Sequence, residues 1–66
     1  MSTATYILSN GNSITFKWEG LNAFDFLTKV HDEGEALDTV LISGLEIVSI
    51  HIKYDFPFNL LRTGDN

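Results

Sequence analysis

The side chains in this chain best suited to chemistry are carboxylates. Asp32, Glu33, Glu35 and Asp38 fall within seven residues, and Asp25 lies about two helical turns before them. Clustered carboxylates support two kinds of chemistry. One is an anionic recognition surface that engages a Lys/Arg-rich groove on a protein partner, including a groove that normally holds nucleic acid; long-range attraction then speeds encounter and makes binding salt-sensitive. The other is ligation of a divalent cation. No D-x-D-x-D-G run and no distal bidentate glutamate accompany the cluster, so it matches no calcium loop, and neither a metal nor any other cofactor is expected. The same residues also serve as solvated surface that keeps the chain soluble.

The two histidines add little. His31 stands beside the acidic cluster, where the expected end of a helix favours positive charge. His51 is expected on the outward face of a strand between Ser49 and Lys53, with no nucleophile and orienting partner to make it a general base. G-x-S-x-G, H-E-x-x-H, P-loop and dinucleotide-binding patterns are absent. Trp18 and the phenylalanines read as core, because a base-stacking platform needs basic neighbours and only Lys17 and Lys53 qualify.

Composition narrows the class further. The chain has 66 residues, no cysteine, nine acidic and four basic side chains, and a net charge of −5. Disulfide scaffolds and thiolate metal sites are excluded, and direct binding of nucleic acid is disfavoured. One domain is expected over 1–66, a complete small reading frame with a C-terminal tail at 57–66 that is apolar through Leu61 and polar from Arg62. A cleft of roughly 300 Å³ or more, as substrate pockets need, is hard to carve from so small a core, so no enzyme is expected. No basic leader and no stretch of about 20 apolar residues appears. A cytoplasmic location follows as the expectation.

Five glycines cut the chain into single elements. Ala4, Tyr6 and Leu8 alternate with polar or outward positions, as do Ile14, Phe16 and Trp18, and Asn10-Gly11 lies between them as a hairpin turn. A three-residue loop, Ser9-Asn10-Gly11, pairs Tyr6 with Ile14 and Ala4 with Phe16 and gathers the apolar residues on one face. Asn22 is an N-cap, Leu21 and Phe26 have the spacing of a hydrophobic staple, and Ala23, Phe26, Leu27 and Val30 form a helical stripe. The helix is expected over about 23–32, with Gly34 as its stop. Val48, Ile50, Ile52 and Tyr54 alternate as a strand. Leu37 to Ile42 reads as the preceding strand of a second hairpin turning at Ser43-Gly44, with a short helix from Glu35 to Leu41 as the alternative.

The result is an α+β domain in the order ββαββ, with one helix on one face of an antiparallel sheet. One helix covers one face only, so Val40, Ile42, Leu45 and Ile47 are expected on the other. They are covered there by the apolar tail around Phe56-Pro57-Phe58, or serve as an interaction patch for a homodimer or a target protein.

In general character the whole chain resembles the small inhibitors encoded by phages and mobile elements, such as anti-CRISPR proteins and phage inhibitors of host RNA polymerase. The resemblance is one of size, acidity, absence of cysteine and absence of catalytic motifs. Strongly DNA-mimicking proteins are usually more acidic than −5. The resemblance implies steric blocking in the host cytoplasm, with Asp32, Glu33, Glu35 and Asp38 occupying a basic groove on a host machine. The alternative is a small structural or assembly subunit acting as a homodimer.

Overall fold

The computed structural model describes residues 1–55. Two strands, β1 (Ser2–Leu8) and β2 (Ser13–Trp18), form the expected hairpin. Tyr6 pairs with Ile14 and Ala4 with Phe16. The loop is Ser9-Asn10-Gly11: the Leu8 amide donates to the Asn12 carbonyl at 2.8 Å and the Gly11 amide to the Leu8 carbonyl at 2.9 Å. Gly11 takes a positive φ of 90°, which glycine adopts without a Cβ clash. A slip of one residue would have turned Tyr6 and Leu8 to the opposite face.

Helix α1 spans Ala23–Val40, eight residues beyond the expected end at 32. Its start is as read: the Asp25 amide donates to Asn22 Oδ1 at 2.8 Å, and Leu21 packs against the core beside Phe26. Gly34 does not stop the helix. It is absent from the glycines with positive φ, and a Cβ built on it would lie 3.5 Å from the Tyr6 ring. The glycine therefore sits where the helix packs against the Tyr6 ring.

The lengthened helix removes the third of the four expected strands. Leu37 to Val40 complete α1, and the order is ββαβ. Ser43-Gly44 is a turn, with Gly44 at φ 88° and the Leu45 amide donating to the Ile42 carbonyl at 3.0 Å. It leads from the helix, not from a strand, into β3 (Ile47–Lys53). The loop is tied to the first hairpin: the Ser9 amide donates to the Glu46 carbonyl, and the Glu46 amide to Ser9 Oγ. The antiparallel sheet has the order β2-β1-β3, so the first strand in sequence is the central one. Ile47 lies opposite Leu8 and Ser49 opposite Ile7, leaving Val48 as the extra residue of a bulge.

Ala4, Tyr6, Leu8, Phe26 and Val30 form the buried apolar core. Aromatic contacts carry it from sheet to helix. Tyr6 meets Phe16 edge-on at 5.7 Å, Phe16 stacks on Trp18 at 6.0 Å, Trp18 meets Phe26 at 5.9 Å and Phe26 meets Tyr54 at 5.3 Å. Such pairs add about 0.5–1.5 kcal/mol each beyond area burial.

Among the described residues the second apolar face is absent. Thr3, Thr5 and Ile7 alternate with the core residues of β1, and their partners are Lys17, Thr15 and Ser13 on β2 and Lys53, His51 and Ser49 on β3. This bare face is polar, and Thr5 and Thr15 share a hydroxyl hydrogen bond of 2.9 Å across it. The expected tail at 57–66, including its contacts with the core, lies outside the described residues.

Candidate functional site

All five carboxylates of the predicted acidic surface stand on α1. At 3.6 residues per turn, Asp25 and Asp32 lie nearly in line along the axis, and Glu35 and Asp38 continue the line around one flank. Phe26, Val30 and Leu37 form the opposite, core-facing stripe. Asp25, Asp32, Glu35 and Asp38 are exposed. Glu33 departs from the set: it is half-buried, and its charge acts on Tyr6. Burial first, and then the Glu33 carboxylate, push the Tyr6 hydroxyl above its ordinary pKa. Tyr6 meanwhile donates to the Val30 carbonyl at 2.6 Å.

The acids do not crowd a helix end, as the shorter helix implied. They are spread through its body, with Asp38 alone in the last turn. His31 is mid-helix, and its Nε2 lies 3.4 Å from Glu35 Oε1, an exposed i,i+4 pair. His31, Asp32 and Glu35 bring one ligand atom each within 4.8 Å of the others. Residues spaced i, i+1 and i+4 come together on any exposed helix, so this proximity carries no assignment.

Beside the ridge runs a feature that sequence reasoning missed. A groove of about 460 Å³ lies between α1 and β3. Leu27, Val30, Ile47 and Ile50 form its apolar floor and walls, and His31, Glu35 and Asp38 its polar rim. The volume exceeds the roughly 300 Å³ judged hard to carve from so short a chain, so size alone does not argue against a substrate. The groove's ionisable lining among the described residues is His31, Glu35 and Asp38.

The groove exists because of a width mismatch. A helix is about 10 Å across and strands are spaced about 4.8 Å apart, so one helix shelters roughly two strands. Ile50 and Ile52 pair with Tyr6 and Ala4 and share their face, yet they remain 44% and 50% exposed, and Leu27 on the helix is 55% exposed. Alternation in β3 marked these residues as inward-facing. The count of strands per helix was the available signal that they would be left half-covered.

The other predicted patch is dispersed. Val40 ends the helix and Ile42 lies in the following turn, 72% and 74% exposed. Leu45 is half-buried in the loop, and Ile47 packs against the core from β3. The four do not share a sheet face, because the strand that was to carry Val40 and Ile42 is helix and turn. His51 lies on the bare sheet face opposite Thr5, as expected. Among the described residues, no helix is long and apolar enough to cross a membrane.

No family model, curated protein or solved structure matches the chain.

Proposed function

We propose that this chain is a non-enzymatic, protein-binding inhibitor that blocks a basic, nucleic-acid-binding groove of a host machine in the host cytoplasm, in the manner of anti-CRISPR proteins and phage host-takeover factors. The observation that carries this reading is the ridge of Asp25, Asp32, Glu35 and Asp38, four exposed carboxylates along one helix whose opposite face is fixed to the core. A rigid row of negative charge is suited to a channel lined with Lys and Arg. It supplies attraction at a distance and competes with phosphates for the same cations. Glu33, half-buried and close enough for its charge to act on Tyr6, is set apart from these four.

The reading is tested with purified CRISPR effectors and host RNA polymerase as probes, each with and without its nucleic acid. Binding to one of them should be displaced by that nucleic acid and weaken as salt rises. Reversal at the ridge, Asp32→Lys with Glu35→Lys, should reduce affinity about tenfold or more and flatten the salt dependence, since losing a close charge pair costs about 2–5 kcal/mol. Binding that is indifferent to both substitutions and to salt would overturn it.

A further inference from the structure

The groove between α1 and β3 has a direction. The Phe26 ring meets Tyr54 at 5.3 Å, and the Tyr54 hydroxyl donates to the Leu21 carbonyl at 3.0 Å. The start of the helix therefore lies over the end of β3. Glu35 follows Phe26 by nine residues, a rise of about 13.5 Å. Ile50 precedes Tyr54 by four residues, about 13.6 Å back along the strand. Glu35 and Ile50 are thus level with one another, and both line the groove. Leu27 and Ile50 in the groove, and Ile52 beside it, are exposed apolar surface. Glu35 and Asp38 make the rim at the Ile50 level acidic.

The chain contains a segment with the same order of chemistry. Tyr54-Asp55 leads directly into Phe56-Pro57-Phe58-Asn59-Leu60-Leu61-Arg62. Pro57 cannot donate to a ladder and suits a turn at the end of a strand. In an extended run beyond it, Phe58, Leu60 and Arg62 fall on one side. The four steps from Phe58 to Arg62 reach about 13–14 Å, which matches the separation of the Tyr54 and Ile50 levels. A return along the groove sets Phe58 and Leu60 on its apolar stretch and Arg62 level with Glu35. Arg62 is the only arginine of the chain, and its planar fork matches a carboxylate. Attachment a few residues away gives this segment a millimolar-order effective concentration at the groove, which a separate molecule lacks. A domain of this size without disulfides also has few apolar residues to spare from burial.

We propose that residues 58–62 of the same chain fold back at Pro57 and dock in the α1–β3 groove, with Phe58 and Leu60 over Leu27, Ile50 and Ile52 and with Arg62 paired to Glu35 and Asp38. The docked segment completes the core on the side that one helix leaves half-covered. Arg62 then competes with a basic partner for the same two carboxylates.

The chain has no cysteine, so two can be introduced into the full 66-residue protein as a direct test. Leu27→Cys with Leu60→Cys should close an internal disulfide at about 5 µM protein, where joining within one chain outruns joining between chains. The comparison is His51→Cys with Leu60→Cys. His51 lies between Ile50 and Ile52 in sequence but on the bare sheet face, so an undocked segment reaches it as readily. Leu27 and His51 are both exposed, and neither substitution opens the core. The first pair should close about ten times faster or more than the second. Arg62→Glu added to the first pair should slow closure about two- to fivefold, the worth of an exposed ion pair. Equal rates for the two pairs, covalent dimers in place of the internal bridge, or a rate indifferent to Arg62→Glu would overturn the proposal. The measurements use the isolated chain, so their outcome is independent of binding to a host machine.

Discussion

Tyr6 joins the two layers of the fold through one atom. Its ring is fully buried beneath α1, and its hydroxyl reaches the Val30 carbonyl inside the helix. Tyr6→Phe should keep the ring packing and remove about 0.5–1.5 kcal/mol of stability, the net worth of a neutral hydrogen bond, as read by urea unfolding. The same hydroxyl has a pH signature. Its folded-state pKa is raised by burial and by Glu33, so the stability it confers is present in full below the unfolded tyrosine value and is lost as pH climbs above about 10. The gap between the parent and Tyr6→Phe should therefore narrow in alkali. Asp55 works in the opposite sense. The hydrogen bond from the Met1 ammonium, and the charge of that group, hold the exposed Asp55 carboxyl below its ordinary range. Its contribution is present above the unfolded value of 3.8 and fades as pH falls through the lower folded one. Asp55→Asn should flatten the acid limb of the stability profile below about pH 4, measured by circular dichroism.

At the scale of elements, α1 separates what the sequence disclosed from what it withheld. Asn22, Leu21 and Phe26 announced the start of the helix because capping is local chemistry, settled within four residues. The first hairpin was legible for the same reason: Asn10-Gly11 and the alternation around it permit only one register that gathers Tyr6, Leu8, Ile14 and Phe16. The end of the helix was not legible, because glycine has two meanings there. It stops a helix by entering the left-handed region, or it admits a neighbour by having no side chain. Only the position of Tyr6 decides between them, and that is tertiary information. Val40-Leu41-Ile42 looked strand-like for a related reason, since short apolar runs are ambiguous until their packing partner is known. The distinction predicts the sign of a substitution. A left-handed stop would be strained by alanine. A helical Gly34 with 3.5 Å of clearance accepts it at ordinary contact distance, and Gly34→Ala should gain about 0.5–1 kcal/mol. The urea midpoint should rise with no change in slope.

On the scale of the whole molecule, the two sheet faces differ sharply: one carries the core and the other is polar. Among the described residues, carboxylates are concentrated on α1, hydroxyls with Lys17, Lys53 and His51 occupy the bare sheet face, and exposed apolar residues lie along β3 and at Phe24, Leu27, Val40 and Ile42 on and after the helix. The acidic cluster was visible in the sequence, but its division into an exposed ridge and a half-buried Glu33 needed the helix to run through Gly34. The apolar edge was hidden because it depends on how many strands one helix shelters. The central place of β1 has a further consequence, in time instead of space. Thr3 pairs with Lys53 at the far side of the chain, while its other partner, Lys17, is close by in sequence. The local hairpin can form within about 1–10 µs, but the sheet closes only through pairings 39 to 50 residues apart, from Leu8–Ile47 to Thr3–Lys53, and such non-local pairing slows folding. Until β3 arrives, the strand that holds Tyr6 has one edge unpaired. The order of events is thus built into the topology: the local hairpin first, and the non-local strand that completes the sheet last.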